Sequence, residues 1–200
     1  MVLTPRSLLT KLRARFAVLA LGVAISSPLH AQRRGASAWG HADSTIVRLA
    51  PSSFATLPAL VRVALTNRGC LIPQSPEGSG LHNVGRGHLR GGHGIDWVAL
   101  CSIAGRSRIL VFWGGDTTQV DSLSASADRN FLQGMGGGSI AFSRIIGLVD
   151  ARFIRQHAAW YGGALPPGAI HDGINDAFAG KGSTVYYWSA GRWLELAGAD

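Results

Sequence analysis

Residues 96–113, with the sequence DWVALCSIAGRSRILVFW, give the strongest hairpin signal in the chain. Residues 97–103 alternate with the two-residue period of a β-strand. Both alternating sets are largely apolar, so we expect the strand to be covered on both faces. Residues 109–113 form a second apolar run, which ends at Gly114-Gly115-Asp116. With a turn placed at Arg106-Ser107, the stretch predicts a β-hairpin.

Two helices are predicted, one on each side of this hairpin in the chain. The first covers residues 57–67, where apolar residues recur at helical spacing, with Thr56 as a cap and a stop at Gly69. The second covers residues 150–161, with Asp150 as its cap. We expect both helices to pack on one side of a small, mostly antiparallel sheet, and the predicted fold class is therefore α+β.

The C-terminal part of the chain predicts a second hairpin, over residues 184–196 with a turn at Ser189-Ala190-Gly191. Residues 122–138 are rich in Ser, Asp, Asn and Gly, and we expect them to be loose. Residues 176–180 predict a single helical turn.

The first 31 residues have the organisation of a secretory signal peptide. A basic start is followed by the apolar run Phe16–Ile25, and Ala31 suits the position before the cleaved bond, with Ala36-Ser37-Ala38 as a second possibility. The run is too short to span a bilayer, which takes about 20 residues; an uncleaved membrane anchor is the alternative. We predict a periplasmic or secreted protein with no membrane span after the signal is removed.

Composition and charge argue against a disordered chain and against a nucleic-acid-binding protein. Hydrophobic residues make up 46% of the 200-residue chain, which is too many for a disordered chain. The formal net charge is +8, but four basic residues precede residue 31, so the remainder carries +4. The other arginines are scattered along the chain, and we expect no nucleic-acid partner.

After the signal we predict a poorly ordered lead-in over residues 32–50 and a single globular domain over residues 51–200.

The chain has two cysteines, Cys70 and Cys101, which are 31 positions apart. An exported chain folds where disulfides persist. We therefore predict a disulfide that ties the exit of the first helix to the strand at 97–103; two buried free thiols are the alternative.

Residues 83–113 contain glycines, an apolar residue, a glycine-rich turn, Asp96, an aromatic residue and then a strand. This order resembles the FG-GAP half-blade of integrin-type β-propellers, and a β-propeller-like fragment is the alternative fold. In that family an acidic loop binds calcium. Residues 90–94 are RGGHG here, and Ca²⁺ takes six to eight oxygen ligands. The resemblance therefore implies a strand–turn–strand shape without a metal site.

A broader resemblance covers most of the chain after residue 31. The segments that carry it are residues 69–74, 96–102, 109–113, 171–174 and 191–193. They resemble an uncharacterised family of exported bacterial proteins. The resemblance implies a shared fold and export, and it implies no activity.

Residues 171–176, with the sequence HDGIND, are the first candidate for a catalytic site. Asp172 and Asp176, with His171 or His157, could pair a general base with the carboxylate that orients it. Short polar residues in such a pattern also form turns and caps, and this is the interpretation we favour.

Three histidines, His82, His88 and His93, fall within twelve residues of a glycine-rich stretch. Imidazole binds Zn²⁺ or Cu²⁺. Their spacings of six and five residues do not match a pair of ligands on one helix face, so we expect solvent-facing loop histidines and predict no metal and no cofactor.

Motifs for nucleotide binding, serine hydrolysis and zinc proteolysis are absent from the sequence. Six tryptophans could form a sugar- or peptide-binding face, but we expect Trp188 and Trp193 to pack across the last hairpin. We predict a monomeric, non-catalytic binding or structural module of the bacterial envelope, with a ligand or protein of the envelope as its partner. A periplasmic hydrolase using residues 171–176, with or without a metal, is the alternative.

Overall fold

The computed structural model describes residues 37–92, 94–161 and 168–197. Its helices are α1 (residues 37–44), α2 (Ala59–Asn67) and α3 (Ala151–Tyr161). All strand pairings in these ranges are antiparallel, which confirms the mostly antiparallel α+β class.

Twelve strands are present in the described part of the chain. They are β1 (Arg48–Leu49), β2 (Ile72–Pro73), β3 (Val84–Gly87), β4 (Asp96–Ile103), β5 (Arg106–Phe112), β6 (Val120–Ala127), β7 (Leu132–Gly136), β8 (Ser139–Phe142), β9 (Arg144–Val149), β10 (Gly173–Phe178), β11 (Gly182–Ser189) and β12 (Arg192–Ala197).

The strands form two four-stranded sheets and two small ribbons rather than one small sheet. Sheet 1 has the order β3-β4-β5-β6, and sheet 2 has the order β9-β10-β11-β12. The ribbons are β1-β2 and β7-β8. The main core contains residues of both sheets, including Val98 and Ile109 of sheet 1 and Ile146 and Ile174 of sheet 2. The two sheets therefore pack against each other.

Both predicted hairpins are present. The first is β4–β5, whose turn lies at Ala104-Gly105, with φ of 49° and 73°, and not at Arg106-Ser107 as predicted. Glycine adopts a positive φ freely, which makes this the easier place to reverse the chain. Residues 98–101 are at most 1% exposed, so β4 is covered on both faces as expected. The second hairpin is β11–β12, with its turn at Ala190-Gly191.

Two segments differ from their prediction. Residues 122–138 are largely strand, in β6 and β7, and Asp176–Phe178 belongs to β10 and not to a helical turn. β10 pairs with β9 on one side and β11 on the other. Hydrogen bonding on both edges outweighs the weak local preference of a short polar segment.

The helices contact different sheets. Val61 and Leu65 of α2 are in a buried cluster with Ala99 and Phe112 of sheet 1. Ile154 of α3 is in a separate cluster with residues of β11 in sheet 2. The expected arrangement of both helices on one side of one sheet is therefore wrong.

The ends of the helices agree in part with the prediction. Asp150 Oδ1 accepts a hydrogen bond of 2.7 Å from the Phe153 N–H, which confirms the cap of α3. Gly69 has a φ of 72° after α2, as its role in the stop requires. The cap position of α2 is Pro58 with no side-chain hydrogen bond, so the predicted role of Thr56 is wrong.

The segment predicted as a poorly ordered lead-in is packed where the structure describes it. Residues 37–44 form α1, and Ala42 and Ile46 are buried in the main core. Arg48 donates two hydrogen bonds, of 3.0 and 2.7 Å, to Asp128 Oδ2. The signal peptide and the predicted cleavage at Ala31 lie outside the described residues. No helix within the described ranges has the length and apolar character to cross a membrane.

The predicted disulfide is confirmed. Cys70 and Cys101 are bonded, with their Cα atoms 5.1 Å apart, and both are at least 98% buried. The bond joins the chain leaving α2 to the centre of β4. It therefore fixes α2 on sheet 1.

Candidate functional site

Asp176, a candidate catalytic carboxylate, is buried in an ion pair. Its Oδ1 accepts from Arg144 Nε and its Oδ2 accepts from Arg144 Nη2, each at 2.8 Å. The Arg144 side chain is 0% exposed and that of Asp176 is 6% exposed. The Ser124 hydroxyl donates a third hydrogen bond to Asp176 Oδ2 at 2.6 Å. A carboxylate held in this way is a structural partner, not a free base.

Arg144 extends this network into sheet 1. Its Nη1 donates to the Ser107 hydroxyl at 2.9 Å, and its Nη2 donates to the Ser124 carbonyl at 2.7 Å. The guanidinium also lies 4.4 Å from the centre of the Phe131 ring. Arg144 was not singled out from the sequence, because its role depends on the sheet that faces it.

Asp172 holds the loop between β3 and β4 against sheet 2. Its Oδ2 accepts from the His88 N–H at 2.8 Å, and its own N–H donates to the His88 carbonyl at 3.2 Å. A Cβ at Gly87 would lie 2.7 Å from the same Asp172 oxygen, so glycine is needed for this approach. Asp172 therefore holds a distant loop through backbone hydrogen bonds, and it does not cap a local turn.

His171 is half-buried on an aromatic ring. It stacks on Tyr187 with ring centroids 4.3 Å apart and planes 9° apart. Its Nδ1 lies 3.1 Å from the Asp172 carbonyl oxygen. The Tyr187 hydroxyl donates to the Gly168 carbonyl. His171 and Asp172 meet only as neighbours in the chain, and the Asp172 carboxylate is engaged elsewhere.

His157 lies on α3, in different surroundings from the other three candidates. It is 2% exposed, and its ring lies 5.8 Å from that of Phe153 and 4.8 Å from that of Tyr161. Its Nε2 has no hydrogen-bond partner among the described residues. The four candidate catalytic residues thus have separate partners. Among their hydrogen bonds within the described residues, none joins a histidine ring to a carboxylate.

The loop histidines make hydrogen bonds to the backbone. His82 Nε2 accepts from the Ser75 N–H at 2.8 Å, and its Nδ1 lies 3.1 Å from the Gly80 carbonyl oxygen. His88 Nδ1 lies 2.8 Å from the Gly94 carbonyl oxygen. His93 is outside the described residues. Within the described ranges no group of three or more His, Cys, Asp or Glu side chains is placed to hold a metal ion.

Asp96, the acidic residue of the FG-GAP-like segment, also bonds to the backbone. It is 3% exposed, its Oδ2 accepts from the Leu89 N–H at 3.0 Å, and its Oδ1 accepts from the Gly114 N–H at 2.8 Å. Arg90 lies 3.9 Å from the same Oδ1. Asp96 therefore joins the loop before β4 to the end of β5.

Three tryptophans pack together where the two sheets meet. Trp188 and Trp193 lie directly opposite each other in β11 and β12, with ring centroids 5.4 Å apart. Trp113 lies 5.1 Å from the first and 5.5 Å from the second. The Trp193 Nε1–H donates to Asp121 Oδ2 at 2.9 Å. This cluster is used for packing.

A groove on the face of sheet 1 that also carries α2, which sequence reasoning missed, has an exposed cation beside an aromatic ring. It encloses about 280 Å³ and is lined by Thr56, Val84, Gly85, Arg86 and Trp97. We call it the Arg86–Trp97 groove. Strand register places these two residues directly opposite each other in β3 and β4. The Arg86 Cζ atom lies 5.9 Å from the centre of the Trp97 ring.

A carboxylate follows the glycine that borders the Trp97 ring. A Cβ at Gly115 would lie 3.7 Å from the Trp97 ring, and Asp116 follows Gly115 in the chain. Asp116 Oδ1 accepts from the N–H and the hydroxyl of Thr118, at 2.7 and 2.8 Å. The Thr118 hydrogen bonds, the backbone one first, lower the pKa of Asp116 below its ordinary value. Asp116 is therefore an anion with a local partner.

Comparison with protein-family models, with curated proteins and with solved structures found no match to this chain.

Proposed function

We propose that this chain is an exported, non-catalytic binding module of the bacterial envelope, periplasmic or secreted after removal of residues 1–31. The observation that carries the proposal is the use of both carboxylates of the 171–176 segment. Asp176 is bound by Arg144, and Asp172 is bound by the His88 backbone. A general base must reach a substrate proton, whereas the Asp176 carboxylate is buried among its partners and one oxygen of Asp172 is held by the backbone.

Export is supported by the disulfide. The Cys70–Cys101 bond is buried and lies between a helix and a central strand, so it is part of the folded core. Bonds of this kind persist in oxidising compartments and are rare in the cytosol. The apolar run at Phe16–Ile25 supports the same location.

A binding role, as opposed to a purely structural one, is supported by the Arg86–Trp97 groove. A half-buried aromatic ring with an exposed guanidinium beside it is a common composition for small-molecule sites. The groove lies on sheet 1, which α2 and the disulfide hold in place.

The test of export is the mass of the protein recovered from a Gram-negative host that expresses the full chain with a C-terminal tag. We expect periplasmic protein that begins at Gln32 and is two hydrogens lighter than its reduced form. Periplasmic protein that still begins at Met1, or that has two free thiols, would contradict the proposal.

The test of the non-catalytic role is turnover of ester, glycoside and peptide substrates by the purified mature protein. We expect no turnover above the rate of a heat-denatured sample. Turnover that is lost in both His171→Ala and Asp172→Asn, while circular dichroism shows both variants folded, would support the hydrolase instead.

A further inference from the structure

We propose that the Arg86–Trp97 groove binds a carboxylate-bearing sugar, a hexuronic acid residue of an envelope polysaccharide. This inference rests on the proposed binding function and names its ligand class.

Arg86 differs from the other arginines that lie over aromatic rings. Arg90 over Trp113 has Asp96 at 3.9 Å, and Arg144 over Phe131 is paired with Asp176. Arg68 over Phe112 donates to the carbonyls of Ala64 and Thr117. Within the described ranges the Arg86 guanidinium has neither an ion pair nor a hydrogen bond to protein.

The Trp97 indole supplies a second free donor. Its Nε1–H has no hydrogen-bond partner among the described residues, and the side chain lines the groove. The Arg86 guanidinium and the Trp97 Nε1–H are hydrogen-bond donors and cannot accept a hydrogen bond. A ligand that satisfies them must therefore be rich in acceptors, and a guanidinium favours a carboxylate, which it can bind through two parallel hydrogen bonds.

The ring of Trp97 is held in one place. Trp97 lies directly opposite Phe112 of β5 on one side and Arg86 of β3 on the other. It is half-buried and packs against the apolar cluster under α2. An aromatic ring that is held in place and lines a groove can pack against the apolar C–H face of a pyranose ring at little cost in conformational entropy.

The charge around the groove favours an anion. Arg86 and Arg68 lie over neighbouring rings, each with its Cζ atom 5.9 Å from a ring centre. Asp116 is the acidic residue on the Gly115 side, and its carboxylate is bound by Thr118. The described residues that line the groove include one cation, Arg86, and no acidic side chain.

The size of the groove favours a sugar residue over an extended chain. Its volume of about 280 Å³ is near the lower limit of small-molecule sites, which begin at roughly 300 Å³. A hexuronic acid offers a carboxylate and a flat apolar face within one ring. An acidic peptide offers the carboxylate without that face, and it is the competitor to be tested.

The experiment is a titration of the ¹⁵N-labelled mature protein with D-galacturonic acid and, separately, with uncharged D-galactose and an N-acetylated triglutamate peptide. The readout is the set of six indole N–H signals, with that of Trp97 assigned by Trp97→Phe. We expect galacturonic acid to shift the Trp97 signal, and we expect galactose and the peptide to bind at least about tenfold more weakly.

Two variants test the role of the guanidinium. We expect Arg86→Gln to weaken galacturonic acid binding at least about tenfold, since it removes the charge-assisted hydrogen bonds. Arg106→Gln is the matched control. Arg106 is also exposed and follows the β4–β5 turn, and its loss should leave the affinity unchanged.

Equal shifts with galactose, an equal affinity of Arg86→Gln, or stronger binding of the peptide would each overturn the assignment to an acidic sugar. The absence of any Trp97 shift with all three probes would overturn the site itself. None of these outcomes would contradict the proposed function, which is tested separately by the mass of the processed protein and by the absence of turnover.

Discussion

Arg144 of β9 and Asp176 of β10 form a buried ion pair through two parallel hydrogen bonds of 2.8 Å. The same guanidinium reaches Ser107 of β5 and Ser124 of β6. The pair therefore links the two sheets. Asp176, a candidate catalytic residue on sequence grounds, instead holds the guanidinium that joins them.

Asp176→Asn should destabilise the fold strongly. The substitution removes the negative charge and leaves Arg144 charged in a site that is 0% exposed. Breaking a buried pair on one side costs about 3–5 kcal/mol of unfolding free energy. Urea denaturation of the mature protein measures this. Asp116→Asn, at an exposed carboxylate, is the control, and a loss of similar size in both would contradict the role of the ion pair.

Replacing both cysteines should lower stability with little change in the folded structure. The bond closes a loop of 31 residues between Cys70 and Cys101. The chain-entropy model assigns about 3–4 kcal/mol to such a loop. We expect Cys70→Ala with Cys101→Ala to lose about this much in denaturant unfolding under non-reducing conditions. The double variant should also be insensitive to dithiothreitol, whereas the wild type should lose a similar amount when it is reduced.

Gly173→Ala should be destabilising at the start of β10. A Cβ there would lie 2.9 Å from the Tyr186 carbonyl oxygen and 3.1 Å from Ile154 Cδ1. Because the first contact is with backbone, the strand has to move, at a cost of about 1–3 kcal/mol. Gly147→Ala is the matched control in β9, where a Cβ would have no neighbour within 4 Å. Thermal unfolding of the two variants separates them, and equal midpoints would contradict the steric argument.

Stability should fall at alkaline pH because of Tyr186. Burial raises the pKa of its hydroxyl above the ordinary value of 10.0; the charges of Glu195 and Asp176 raise it further, while Ser124 and Arg144 act in the opposite direction. The folded state therefore keeps this proton to higher pH than the unfolded state does. The resulting stability is fully present below pH 10 and is lost as the pH rises through the folded-state pKa.

Tyr186→Phe isolates this contribution. We expect the decline in unfolding free energy above pH 10 to be shallower in Tyr186→Phe than in the wild type, as measured by urea denaturation across that range. Tyr161→Phe, at a side chain that is 46% exposed, should follow the wild-type curve. A wild-type decline that Tyr186→Phe leaves unaltered would assign the loss to other groups.

The elements with strong local signals were predicted well. β4 and β5 have long apolar runs on either side of a glycine turn, and α3 has an Asp cap with apolar residues along one face. Such signals act between near neighbours in the chain, so they survive in almost any tertiary context.

The elements with weak local signals were not predicted correctly. β6, with the sequence VDSLSASA, is polar and serine-rich, and Asp176–Phe178 was read as a helical turn. The segment 32–50 is predicted to be poorly ordered, although Ala42 and Ile46 are buried. In each case burial or strand pairing with a distant part of the chain outweighed a small local preference.

Periodicity, turn residues and the cysteine count predict the central hairpin, the helix at 150–161, the last hairpin and the disulfide, because these signals are local or leave one possible pair. The contact of Asp176 with Arg144 and the position of Arg86 beside Trp97 are visible only in the folded molecule. Both contacts lie between adjacent strands of one sheet and depend on strand register, which is set by the burial of one face of the sheet against residues far apart in the chain.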